Sequence, residues 1–117
     1  MSCTGQYDFC VVAGDNLDFK VRYKSGDEYV NISDYTARMQ LRKRLTDENP
    51  AATATCVVTD ALKGEITCSL TKDETTALVT LPSSKARYFY DVEYISPTDN
   101  KLTIISGSID VHIGVTR

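Results

Sequence analysis

Asp91 and Glu93 stand two residues apart in "YFYDVEYI", the first spacing in the chain that could do chemistry. On an extended strand both carboxylates leave the same face, ~7 Å apart from the rise per residue. Glycosidases use carboxylates at such separations. Acidic pairs at i,i+2 are also ordinary on wet strands, and the chain has no tryptophan to form a sugar platform beside this one. The other reactive side chains are Cys3, Cys10, Cys56, Cys68 and a single histidine, His112. A catalytic thiol needs a base and an orienting group, and no histidine-containing motif, nucleophile elbow or Gly-rich loop before a helix supplies them. Structural zinc needs four close ligands, usually in paired short spacings, and no Cys-x-x-Cys occurs. The expectation is no enzyme, no metal, no cofactor and no small-molecule substrate. The cysteines read as small apolar side chains, all reduced.

A third candidate is cationic. In "NISDYTARMQLRKR", Tyr35, Ala37, Met39 and Leu41 share one parity, and Thr36, Arg38, Gln40 and Arg42 the other. Arg38 and Arg42 therefore project from one strand face, while Lys43 points the opposite way at the strand end. Lys20, Arg22 and Lys24 leave an outward face or a strand end in "LDFKVRYK". If the two strands were neighbours, a basic stripe would result. Asp8, Asp18, Asp91, Glu93 and Asp110 offset it on outward parities, and no aromatic residues interleave with the cations as a single-strand nucleic-acid platform requires. The reading is a solvated, salt-bridged face, with an anion-binding surface and a charged protein interface as alternatives.

The elements that must position these residues follow from length and period. A chain of 117 residues fits one domain with a real core. Thirteen basic against sixteen acidic residues, a net charge of −3, gives no general attraction to nucleic acid or anionic membrane. No apolar run approaches the ~20 residues that span a bilayer. The start "MSCTGQYD" carries neither a basic segment nor an apolar stretch, so the expectation is a soluble protein without a secretion signal, made in a cytoplasm. Alternation of period two predicts strands near Tyr7–Val11, Leu17–Tyr23, Tyr35–Arg42, Thr53–Thr59, Gly64–Leu70, Ala86–Ile95 and Leu102 onward, separated by turn clusters such as "AGDN", "SGDE" and "SPTDN". A hairpin turning at Leu62 sets Cys56 directly opposite Cys68, within disulfide reach, although a reducing compartment argues against the bond. If any pair oxidises, it is this one. Thr71 and Glu74 form a T-x-x-E capping box, predicting one or two helical turns over Thr71–Val79 that stop before Pro82. The fold class is all-β: an antiparallel immunoglobulin-like β-sandwich of about seven strands with one short helix. The expected core is Phe19, Val21, Met39, Leu41, Ile66, Leu70, Tyr90, Val92, Ile109 and Val111. Residues 1–7 form an N-terminal arm, with Met1 to Gln6 free to order against a neighbour, and residues 8–117 form the single domain.

Five stretches in register carry a resemblance: Gly14-Asp15, Tyr35 to Arg42, Gly64 to Ile66, Tyr90 to Asp99 and Gly107 to Arg117. Together they resemble a small immunoglobulin-like domain recurrent in tailed bacteriophages, found at the N-terminus of baseplate and tail-fibre proteins and as short stand-alone virion proteins. Its pattern has Gly where Asp34 stands before Tyr35, and Gly in the hairpin turn where Asn100 stands. The resemblance covers roughly residues 8–117. It implies a structural virion component, synthesised and assembled in the host cytoplasm. The role would be a small adaptor, connector or accessory protein docking on tail, baseplate, neck or capsid. Its partners would be other virion proteins, with multiple symmetric copies in the particle. No catalytic residues carry over. Because the chain stops where the domain stops, no fibre shaft or receptor-binding tip is expected. A carbohydrate-binding or adhesive module of the same architecture is the alternative, since such sandwiches serve both purposes.

Where partners would touch is suggested by five apolar residues on nominally outward parities: Val12, Val57, Phe89, Ile95 and Ile104. Gathered on one sheet they would form an assembly surface, with Arg38 and Arg42 as its charged members. A parity slip at a bulge, or a covering loop, would explain them equally well.

Overall fold

The computed structural model describes residues 5–80 and 83–114. Cys3, Pro82 and the terminus at Val115–Arg117 lie outside them. Among the described residues ten strands form: β1 Gly5–Gln6, β2 Phe9–Ala13, β3 Leu17–Arg22, β4 Lys24–Ser25, β5 Glu28–Tyr29, β6 Thr36–Arg42, β7 Ala52–Asp60, β8 Glu65–Leu70, β9 Lys85–Ile95 and β10 Lys101–Ile113. One short helix, α1, spans Lys72–Thr76. β4 and β5 are a separate two-stranded hairpin. The remainder follow one hydrogen-bonded path, β1-β10-β9-β6-β7-β8-β3, with β2 also on β10.

β7 turns this path around the core. Its start pairs with β6, Met39 opposite Ala54, and from Thr55 onward it pairs with β8 instead. The two ends of the path meet through side chains. Phe9 on β2 stacks on Phe19 of β3 at 5.0 Å between ring centres, and Tyr7 stacks on both. The result is all-β as expected, but the sheet curls nearly into a barrel. It is also mixed rather than purely antiparallel.

The parallel part is the chain's first segment. β1 and β2 both lie parallel to β10, Gly5 opposite Ile105 and Phe9 opposite Ile109, in one unbroken register. The expected free arm is thus in part a strand: Gly5–Gln6 belong to the sheet, while residues 1–4 lie outside the described residues. Between the two pieces, Tyr7 crosses over Gly107. A Cβ on Gly107 would come within 2.1 Å of the Tyr7 carbonyl oxygen, so only glycine admits the crossing.

Parity decides the core. Nine of the ten expected core residues are buried, and Phe19 is half-buried in the aromatic seam. Tyr88, Tyr90, Val92 and Tyr94 share the inner face of β9. The Tyr94 hydroxyl reaches the carbonyls of Gly64 (2.8 Å) and Val21 (3.0 Å), which allows a large polar side chain to be fully buried. Ile32, also fully buried, comes from a loop without any alternation.

The capping box forms as read. The Glu74 amide donates to the Thr71 hydroxyl (3.2 Å) and the Thr71 amide to the Glu74 carboxylate (2.9 Å). The helix is shorter than the expected Thr71–Val79, because the Leu78 and Val79 amides bond three residues back, to the Thr75 and Thr76 carbonyls (3.2 and 3.4 Å), and tighten the chain out of α-helical geometry. Thr75 is buried, its hydroxyl donating to the Asp15 carbonyl (2.8 Å) and accepting from the Gly14 amide (3.0 Å).

Two turns depend on left-handed residues. The Tyr35 amide closes a turn onto the Ile32 carbonyl (3.0 Å), and Asp34 at its second corner has φ 66°. That corner of a type II turn favours glycine, and no hydrogen bond or ion pair holds the Asp34 side chain among the described residues. Asp34→Gly is expected to raise stability by about 0.5 kcal/mol, the relief of left-handed strain exceeding the added chain entropy of glycine. Urea denaturation checks it, and a loss of stability would mean that the carboxylate holds the turn. In the β9–β10 hairpin the left-handed residue is Asp99 (φ 64°), not Asn100. Asn100 instead returns to the strand, its carbonyl accepting from the Ser96 amide (2.9 Å). The three-residue loop Pro97–Asp99 is a type I turn ending in a left-handed residue.

Candidate functional site

The outward side chains of β6, β9 and β10 make one broad face. Across it Arg38 stands opposite Glu93, Gln40 opposite Asp91, Arg42 opposite Phe89, Phe89 opposite Ser108, and Arg87 opposite Asp110. Arg38 donates to Glu93 (2.8 Å), and Arg87 grips Asp110 with two bonds (2.7 and 3.1 Å). The Arg87 contact holds the Asp110 carboxyl below its usual range. On the opposite side of the molecule Arg22 pairs with Glu65 (2.9 Å). There the Thr59 hydroxyl, and then the Arg22 charge, lower the Glu65 carboxyl.

No basic stripe exists, because β8 and β7 separate β3 from β6 along the sheet. Arg42 braces a loop. Its guanidinium donates to the Asp47 carbonyl (3.0 Å) and the Gln40 side chain (3.0 Å), with a longer bond to the Glu48 carbonyl (3.5 Å). The carboxylates at Asp91 and Glu93 are unlike each other. Glu93 is ion-paired, whereas burial and then the Glu93 charge push Asp91 above the usual carboxylate range.

The five apolar positions do not gather on one sheet. Val57, 52 % exposed, lies on β7 opposite Thr67, away from the β6–β9–β10 face. Ile104 falls where the β9–β10 register shifts between Thr103 and Ile105, so the bulge turns it toward the core and it packs there, half-buried. Ile95 is half-buried at the end of β9. Val12, 40 % exposed, sits opposite His112. It lies roughly 16 Å from Phe89, two strand spacings across and four residues along, and the Arg87–Asp110 pair stands between them.

Phe89, 37 % exposed, gains a neighbour that the alternation did not offer. Leu45, 76 % exposed, comes from the loop that Arg42 braces and lines the same two depressions as Phe89. One, of about 340 Å³, is flanked by Gln40, Arg42, Asp47 and Asp91; the other, of about 450 Å³, by Gln6, Asp8, Arg87 and Ser108. An aromatic and an aliphatic anchor with a rim of two arginines, three carboxylates and small polar groups suits a docking surface. Sequence reasoning missed Leu45 because "LTDENP" has no period; its one signal was an apolar residue within a polar loop.

The chain matches no protein-family model, and no curated protein sequence is significantly similar to it.

Proposed function

We propose that the chain is a structural component of a tailed-bacteriophage virion, a small adaptor or accessory protein that docks on tail, baseplate, neck or capsid in symmetric copies. The supporting observation is where the resemblance's motif positions sit in the fold. The position where the pattern has glycine before Tyr35 is a left-handed corner at Asp34. Gly107, which opens the last motif, is where the backbone of Tyr7 passes. Motif residues at points of backbone necessity argue for shared architecture rather than chance spacing. The pairings β3–β8 and β6–β9–β10 are also those of strands B–E and C–F–G in an immunoglobulin-like domain.

On this reading the Phe89–Leu45 face meets the neighbouring virion protein. The direct test is quantitative mass spectrometry of purified particles with symmetry-resolved imaging. The expected result is this chain at a fixed copy number that is a multiple of the particle's local symmetry. Its absence from particles, together with binding on a glycan array, would replace this reading with the carbohydrate-binding one.

A further inference from the structure

Cys56 and Cys68 are cross-strand partners on β7 and β8, and their sulfurs stand 2.7 Å apart. That is closer than two unbonded sulfur atoms normally pack and about 0.7 Å from a disulfide bond length. Residues directly opposite in an antiparallel pair have Cα separations of ~4.5–5.5 Å, inside the disulfide range. The backbone is therefore already placed, and closure asks only for a small side-chain adjustment. The two thiols are not equivalent. Cys68 is 1 % exposed, whereas Cys56 is half-buried, just beyond the point where β7 leaves β6 and the path around the core opens. The contact between the two sulfurs lowers the Cys56 thiol, while that contact and burial raise Cys68. Its greater exposure makes Cys56 the thiol that an incoming disulfide can reach, and leaves the buried Cys68 as the resolving thiol.

We infer that Cys56 and Cys68 form a dithiol site that takes a small-molecule disulfide as oxidant and closes an intrachain β7–β8 bond once the protein leaves a reducing compartment. The thiolate of Cys56 attacks the small disulfide R–S–S–R, forming Cys56–S–S–R and releasing RS⁻. Cys68 then loses its proton and attacks the Cys56 sulfur, expelling a second RS⁻. Two electrons pass to the small disulfide, and the two thiol protons finish on two RSH molecules. The chemistry needs only this chain and the small disulfide. Its timing, reduced during assembly and oxidised after release, rests on the virion reading. A bond closing so short a loop lowers the unfolding equilibrium constant by on the order of 100-fold. It would pin the strand on which the sheet turns its corner.

The test incubates the full, folded chain in oxidised glutathione, quenches with iodoacetamide and maps peptides by mass spectrometry. The expected product is a Cys56–Cys68 bridge two hydrogens lighter, with the denaturant midpoint shifted upward. Cys68→Ala should trap a glutathione adduct on Cys56 that the wild-type chain does not accumulate. Glutathione appearing only on Cys3 or Cys10, with Cys56 and Cys68 still alkylated after quenching, overturns the proposal. The wild-type measurement decides this even if the variant fails to fold. In parallel, particles are alkylated inside unlysed cells and after release. Free thiols in both, with the bridge forming in glutathione, would sink the timing and leave the chemistry; absence of the chain from particles would sink the virion reading alone.

Discussion

Gly107→Val should cost about 3 kcal/mol and detach the first strand from the sheet. Gly107 faces inward opposite Tyr90 on β10, and the space a side chain would fill there is taken by the backbone of Tyr7. Even a Cβ meets the Tyr7 carbonyl oxygen at 2.1 Å and the Asp8 carboxylate at 2.8 Å. The Tyr7 oxygen is main chain and cannot swing aside, so residues 5–8 must move. Three bonds then fail together: the Tyr7 amide to the Ser106 carbonyl (3.0 Å), the Ser108 amide to Asp8 (2.9 Å) and the Tyr90 hydroxyl to the Tyr7 carbonyl (2.6 Å). At about 1 kcal/mol net each, their loss accounts for the total. Leaving the Tyr90 hydroxyl buried without a partner would add to it. Loss of Tyr7 from its stack on Phe9 and Phe19 follows. Urea titration gives the magnitude, and amide hydrogen exchange should show protection lost first at Gly5–Ala13. Unchanged protection there would mean that the crossing is not a fixed part of the fold.

Phe89→Asp should leave the isolated domain folded and reduce its incorporation into particles at least tenfold. Phe89 projects outward while Tyr88 and Tyr90 on either side project inward, so its removal opens no cavity. The folded chain should stay within about 0.5 kcal/mol of wild type, as for surface positions generally. Docking is different. Burying one large apolar side chain contributes about 1.5–3 kcal/mol, at least a factor of ten in binding. A carboxylate placed there would also sit beside Asp91 and Asp47 in an interface drained of water. Leu45→Asp, on the other wall, should act in the same direction. Complementation with tagged variants and counting in purified particles reads both. If Phe89→Asp unfolds the monomer, the side chain is core; if both variants enter particles normally, the docking surface lies elsewhere.

Local order made much of this chain legible. Alternation along the strands told which side chains face inward, because the pleat fixes parity whatever the neighbours are. That is why Met39, Leu41, Val92 and Val111 are buried, and why Phe89 is not. The capping box needed only four residues in order, and the Cys56–Cys68 register only the midpoint of one hairpin. What the period could not carry was adjacency between strands distant in sequence. Only closure of the sheet put β8 and β7 between β3 and β6, dissolving the basic stripe into separate ion pairs. The same closure laid Gly5–Gln6 along β10, passed Tyr7 over Gly107, and brought Leu45 to Phe89. Ile32 became core from a loop, where no period exists to mark it. Side-chain direction is set by each residue's own backbone, so the sequence determined it by itself along regular strands, and only the bulge at Ile104 reversed it. Which strands meet is set by the packing of all of them at once, and only the tertiary structure decided that.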